Sequence, residues 1–275
     1  MSVLSAPSTQ VLGKRQANID KAPFLMELAV VTRRSLIVQF REFTWVFPLI
    51  LGVFFLLVYN GSLAGAAAFF LRGQSYLGFI LPLSVISTAL SASGAAGQSI
   101  VRDIESGYFD KLLLTPVSRS ALLLGPMIAS SVWLVVQAVA IVGVAVLMGL
   151  QPVTGLPGVI VLLGYALLIG LALAGVVVGV ALRTNSSSAT NGVSFLFFPL
   201  TFLTATFTPL ELLTGWVRTA AEINPITPLL EATRALLNTG WETDALLRAL
   251  IVTLIAFAVT FTFAYTSLRA RTKRR

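Results

Sequence analysis

Long stretches of this 275-residue sequence contain no Asp, Glu, Lys or Arg at all. The charge-free runs cover 43–71, 73–101, 120–182, 184–210 and 249–268. A run of about 18 or more such residues suits the hydrocarbon core of a bilayer. Composition agrees, with 56% hydrophobic and 11% charged residues against about 25% charged in ordinary soluble domains. The chain therefore reads as an all-α polytopic membrane protein.

The runs divide into six expected spans. The first lies within 43–71, between Trp45 and the stretch beyond Tyr59, and Arg72-Gly73 marks the turn into a second span from Tyr76 to Ile100. Run 120–182 is too long for one helix and is interrupted by turn formers from Gln151 to Gly158, giving spans near 121–149 and 158–182. The fifth follows the polar patch Thr184 to Asn191 and reaches about Thr206, and the sixth occupies about 247–268. This organisation makes 1–22 a polar, flexible N-terminus without a cleavable signal pattern, 43–268 a six-helix transmembrane domain and 269–275 a basic tail. Residues 23–42 form an amphipathic helix: Pro23 suits a first turn, Glu27, Arg34 and Arg41 recur every seven residues, and Phe24, Leu28, Val31 and Val38 fall on another face. Such a helix lies in the membrane interface.

The cations set the orientation. Fifteen of the nineteen Lys and Arg fall on the side of the termini, including Lys14, Arg15, Lys21, Arg33, Arg34, Arg102, Lys111 and the tail, and four, Arg72, Arg218, Arg234 and Arg248, on the other. By the positive-inside rule both termini are cytoplasmic. The basic tail is then a topology anchor, and no nucleic-acid partner is expected.

Two connections are unusual. Arg102 to Pro116 mixes charge with a Leu-rich face and reads as a short helix over 103–114, stopped by Pro116. The external connection, from about Pro209 to Leu246, alternates helical and breaking segments around Asn224-Pro225. Its Leu229, Leu230, Leu236 and Leu237 are too apolar for a solvated loop, so 209–240 is expected to be a helical hairpin dipping into the outer leaflet.

Several chemistries are excluded. With no Cys and no His, the chain has no thiolate nucleophile, imidazole base or ordinary zinc site. An intramembrane protease of the Ser–His type and a metal-dependent lipid transferase are ruled out with them, and no metal site is expected. The charge-free runs behind the spans hold no Asp, Glu, Lys or Arg, which disfavours an ion-coupled carrier. No G-x-x-x-x-G-K-[ST] is present, so ATP is not bound here by that route. Ser93-Gly94-Ala95-Ala96-Gly97-Gln98 lies inside a span and reads as small-residue packing.

Taken together, the segments resemble the membrane subunits of type 2 ATP-binding-cassette exporters, most closely the daunorubicin-resistance and nodulation-factor group. The resemblance rests on Glu105, Gly107, Phe109, Leu112, Leu113 and Pro116-Val117-Ser118-Arg119 after the second span, and on Asn224-Pro225-Ile226-Thr227 with Glu231 and Arg234 in the external connection. It implies a half-transporter of the bacterial cell membrane, not itself an enzyme, that pairs with a second permease, as homo- or heterodimer, and with two separate ATPase subunits. ATP and Mg would be held by those partners, with no cofactor on this chain. The helix at 103–114 would seat in the ATPase, with Asp103, Glu105, Asp110 and Lys111 at the rim and Tyr108, Phe109, Leu112 and Leu113 in an apolar cleft.

Polar stripes on the spans admit two readings. Ser84, Ser87, Ser91, Gly94 and Gln98 share a face of the second span, and Ser194, Thr201, Thr204 and Thr208 nearly do so in the fifth. They either pack helices together or, with Phe54, Phe55, Phe198 and Phe202, line an uncharged path for a hydrophobic or amphipathic substrate, drug-like or lipid-like. A polysaccharide or glycolipid exporter of the same family, and a passive channel or scaffold, remain as rivals. Single cysteines introduced at Lys111 and Arg218 should divide by side, with an impermeant thiol reagent labelling intact cells at 218 and not at 111. Labelling at 111 from outside would invert the topology.

Overall fold

In the computed structural model, residues 23–71, 74–204 and 210–273 are described, with the side chains of 66–70, 198, 200, 202 and 211 excepted. Among the described residues there are ten α-helices and one 3-10 turn, and no strand. They are α1 (Phe24–Arg41), α2 (Val46–Leu71), α3 (Tyr76–Glu105), α4 (Tyr108–Leu113), α5 (Arg119–Leu147), α6 (Gly155–Thr184), α7 (Ser187–Phe202), α8 (Gly215–Ile223), α9 (Ile226–Asn238) and α10 (Thr243–Lys273), with the 3-10 turn at Leu210–Leu212.

Five of these are long and apolar enough to cross a membrane: Val46–Gly65 within α2, α3, α5, α6 and α10. The expected fifth span corresponds to α7, which has 16 residues. At 1.5 Å per residue it reaches about 24 Å, less than a hydrocarbon core of about 30 Å. Its expected end at 205–206 lies outside the described residues, as do Lys14, Arg15, Lys21, Arg72, Thr208 and Pro209.

The centre of the bundle is α3. Helices α2, α5, α6, α7 and α9 all pack on it, and it is buried on nearly every face from Tyr76 to Asp103. Small and hydroxyl residues make this possible, because lipid offers no hydrophobic push between helices and contact must come from close approach. A Cβ at Gly97 would run into Thr190 of α7 and the side chain and carbonyl of Val177 of α6, so the segment Ser93–Gln98 is indeed a helix-packing surface. Two buried hydroxyls on α3 return to their own helix: Thr88 Oγ1 donates to the Ser84 carbonyl at 2.8 Å and Ser93 Oγ to that of Leu90 at 2.7 Å. Gly175 and Gly179 of α6 admit Thr260 and Phe263 of α10 in the same way.

The outermost helices turn apolar side chains away from the protein, Phe47, Ile50 and Phe54 on α2 and Leu247, Ile251, Ile255 and Val259 on α10. That inverts the pattern of a surface helix in water and suits a lipid solvent. At one end of the bundle α9 is wedged among the starts of α3, α6 and α10. There Val153 N–H donates to the Leu237 carbonyl at 3.1 Å and Thr154 Oγ1 to that of Leu236 at 2.6 Å. The apolar side chains Leu229, Leu230, Ala232, Leu236 and Leu237 are thus buried by protein.

The opposite end holds the α3–α4 turn. The expected single helix over 103–114 is two pieces: α3 runs on past Ile100 to Glu105, and α4 begins at Tyr108. The break is at Gly107, whose φ of 69° is left-handed, a region open to glycine at little cost. Gly97→Leu should destabilise the fold by about 1–3 kcal/mol through overpacking. Gly61→Ala, where nothing lies within 4 Å of the new Cβ, should be neutral or mildly stabilising by the ordinary helix preference for Ala. Melting temperatures of the two purified variants in one detergent test the contrast.

Candidate functional site

The last turn of α3 is fastened to α1 by charge. Arg34 Nη1 donates to Asp103 Oδ2 at 2.8 Å and Nη2 to Oδ1 at 2.6 Å, a two-pronged pair between residues 69 apart in sequence. The same guanidinium lies 4.2 Å from the ring centre of Tyr108, the first residue of α4. The hydrogen bonds to Asp103, outweighing desolvation, hold the Arg34 pKa above its ordinary value. Next to it Arg102 pairs with Glu42 at 2.6 Å. A third tether joins α1 to α5, where the Ser118 N–H donates to Glu27 Oε2 at 2.9 Å, while the Ser118 side chain caps α5 by accepting from Ala121 N–H. Glu27 and Arg34 of α1, with Glu42 just beyond its end, therefore hold the α3–α4–α5 connection.

Phe109 fixes the connection from beneath. It is 1% exposed, among Ile100, Leu123, Met127, Leu182 and Leu268. Of the residues expected to meet an ATPase, then, Asp103 and Phe109 face this chain's own interior. Phe109 is not an apolar anchor offered to a partner, because α4 follows a sharp turn that points its second residue inward. Leu112 and Leu113 are half-buried, and Glu105 and Tyr108 are exposed, together with Ser106, Lys111 and Leu114. Gly107 has open space where a Cβ would stand, so within this chain it is required by its backbone angle and not by a close neighbour. Sequence reasoning missed Arg34 as the partner of Asp103; the heptad of Glu27, Arg34 and Arg41 was its visible trace.

At the far end, Asn224-Pro225-Ile226-Thr227 builds a corner between α8 and α9. Asn224 Oδ1 accepts from Ile226 N–H at 3.0 Å, its Nδ2 donates to the Leu203 carbonyl at 3.1 Å, and Thr227 Oγ1 donates to that of Ala221 at 2.6 Å. The motif ties the end of α7 and both short helices together. Arg234 is buried and donates from Nε to the Phe79 carbonyl at 2.9 Å, its guanidinium 3.6 Å above the Phe79 ring. Glu231 is half-buried.

The polar stripes meet neighbours within the chain. Gln98 Nε2 donates to Asn191 Oδ1 at 2.8 Å and to the Ser187 carbonyl at 3.1 Å, linking α3 to α7. Gly94 faces Ser194. Ser84, Ser87, Thr201 and Thr204 are buried, Ser91 is half-buried and Phe54 is exposed. Phe55 stacks on Tyr59 at 5.4 Å. The side chains of Phe198 and Phe202, and all of Thr208, lie outside the described residues.

An ABC-2 type transporter family model matches residues 26–238, from within α1 to the end of α9. The chain belongs to the ABC-2 type transporter family. It is similar to a probable doxorubicin resistance ABC transporter permease protein of Mycobacterium tuberculosis, 24% identical over 212 residues that cover 77% of this chain and 76% of the relative. A daunorubicin resistance ABC transporter permease protein of Streptomyces coeruleorubidus is 23% identical, over 70% of this chain and 66% of the relative. A putative transport permease of Pyropia yezoensis is 25% identical, over 78% and 75%. The family match spans both the α3–α4 turn and the Asn224 corner.

Phe109→Ala should cost about 3–5 kcal/mol of stability, as for other fully buried aromatics. Asp103→Asn, which removes the charge from the bonds to Arg34, should cost about 1.5–3 kcal/mol. Denaturation of the detergent-solubilised ABC-2 chain, followed by circular dichroism, would measure both. A Phe109→Ala chain as stable as wild type would show that α4 is not seated in the core.

Proposed function

We propose that this ABC-2 chain is the permease subunit of an ATP-driven exporter, carrying a hydrophobic or amphipathic substrate, drug-like or lipid-like, out of the cytoplasm or inner leaflet. It works with a second permease and with two ATPase subunits, which bind ATP and Mg. The reading is carried by the α3–α4 turn, where Glu105, Tyr108, Lys111 and Leu114 are exposed on a base anchored by Arg34–Asp103 and Phe109. A mixed charged and apolar patch on a rigid base suits a docking surface. A passive channel has no use for one.

In this reading α7 continues into a sixth span, both termini are cytoplasmic in the cell membrane, and α8 and α9 re-enter the outer leaflet. Exposed Trp216 and Ile223 on α8 suit that interface. The names of two relatives, for doxorubicin and daunorubicin resistance, support a drug-like substrate. Phe54 faces outward with the lipid-facing side chains of α2; among the other expected path residues, Phe55, Ser91 and Gln98 keep accessible surface and are the ones assigned to the path.

Tyr108→Ala should weaken the ATPase by about 2 kcal/mol, roughly thirtyfold in affinity, if Tyr108 is an anchor. Glu105→Ala and Lys111→Glu, at the rim, should act mainly through association rate and salt dependence. Affinity of purified ATPase for the permease in nanodiscs, with melting temperatures as the folding control, is the measurement. Wild-type affinity and wild-type export in all three variants would move the coupling role away from this turn.

A further inference from the structure

The end of α1 and the turn into α2 cover a small, partly open cavity against α3 and α5. Gln39, Trp45, Trp133 and Gln137 line it, with Ala92 and Ala95 as the α3 wall, and none of its lining residues is charged. Gln39 and Gln137 are each 1% exposed. Gln137 Nε2 donates to the Trp45 carbonyl at 2.7 Å, but Gln137 Oε1, Gln39 Nε2 and the Trp45 indole Nε1 have no hydrogen-bond partner. Ser35 Oγ and Thr32 Oγ1, further back along α1, are unpartnered as well. Buried polar atoms are rarely left so, because each costs free energy comparable to a lost hydrogen bond. Those of Gln39, Trp45 and Gln137 share one space.

The chemistry of the gap selects its occupant. Of the unpartnered lining atoms two are donors and one is an acceptor, while the lining hydroxyls of Thr44 and Ser130 already donate to the carbonyls of Gln39 and Met127. A hydroxyl oxygen takes two hydrogen bonds and gives one, so an alcohol matches the set. A phosphate or carboxylate has no proton for Gln137 Oε1, and an ammonium has no lone pair for Gln39 and Trp45. A charged group would in addition be desolvated without a counter-charge. Phe40, Trp45 and Trp133 form a cluster of near-parallel rings, with centroids 5.3 to 6.3 Å apart in every pair, beside the cavity.

The cover is also poised to move. As seated, the enclosed part of the cavity has room for about one water. The turn that closes it contains Phe43 at a φ of 53°, a left-handed angle that is unusual for a bulky residue and costs free energy to hold. The outward face of α1 is apolar, with Leu25 75% and Val30 61% exposed, so lipid can accommodate it in more than one position.

We propose that this cavity is a binding site for a neutral, hydroxyl-bearing headgroup of an amphipathic molecule, admitted when the end of α1 and residues 42–45 lift from α3 and α5, a movement that parts the partly exposed Glu42–Arg102 pair. The proposal rests on the exporter reading for its purpose and refines the substrate class toward uncharged glycolipid-like molecules.

The chain's four tryptophans are 45, 133, 216 and 241, and a background with Trp216→Phe and Trp241→Phe leaves only the two at the cavity as fluorophores. In phosphatidylcholine nanodiscs, a monoglucosyl diacylglycerol should produce a saturable shift in emission. Phosphatidylglycerol of the same acyl chains should need at least tenfold more, or give none. Gln39→Leu and Gln137→Leu, made singly and together, should weaken the response at least tenfold in proteins whose melting is cooperative; Gln→Met replacements of similar length stand in if the Leu variants do not fold. Equal responses to both lipids, or an unchanged response in folded variants, would overturn the site, and no response at all would mean that it holds water only. ATP-driven movement of the glucosyl lipid by the full complex separates the two readings. Export that persists in the folded Gln variants counts against the site and leaves the exporter intact, whereas specific binding by a complex that moves no substrate supports the site and counts against the exporter.

Discussion

Close approach to α3 is the condition on which the rest of the bundle depends. In water a central helix is held by the expulsion of solvent from its apolar faces. Between lipid-embedded helices that force is missing, and contact has to come from shape and from polar groups that find partners. The response of this sequence is to make α3 narrow, with Ser84, Ser87, Ser93, Gly94, Gly97 and Ser99 along its length. Hydroxyls that bond back to their own helix cost little when buried and leave the surface smooth. Five helices can then reach one axis, and the bulky residues are displaced to α2 and α10, where lipid receives them.

The amphipathic helix at 23–42 shows how the same sequence pattern serves two contexts. Its charges were legible from their seven-residue spacing, and its outward apolar face agrees with a lipid neighbour. The inward face was not legible. Ser35 and Gln39 are buried, although a helix read on its own would assign them to water. They are inside because Val31 packs on Gly125 of α5, and a contact between residues so far apart in sequence leaves no local trace. Arg34–Asp103 is of the same kind: each residue reads as an interfacial charge until the fold brings them together.

The spans themselves were readable because a bilayer imposes its thickness directly on the sequence as uninterrupted apolar runs. Five of the six expected helices appear at nearly the expected places, and the burial of Leu229, Leu230, Leu236 and Leu237 was visible as an excess of Leu in a connection. What failed was local geometry within the coupling segment. Tyr108, Phe109, Leu112 and Leu113 look alike as apolar residues, and only the left-handed turn at Gly107 decides that Phe109 points to the core while Tyr108 stays at the surface. A break of one residue rotates every following side chain, so composition could not divide anchor from contact surface.

The two arginines that meet α3 suggest how movement would pass through it. Arg34 grips its last turn through Asp103, and Arg234 grips its first turn through the Phe79 carbonyl. Guanidinium suits both tasks, since its planar fork can hold a carboxylate by two bonds and can also lie flat on an aromatic ring, here Tyr108 at one end and Phe79 at the other. Asp103 lies 24 residues beyond Phe79, about 36 Å of helix, and almost all of that length is packed. In the proposed exporter, a displacement of α3 as a body would act on α1 through Arg34 and on α9 through Arg234, and so link the α3–α4 turn to the Asn224 corner.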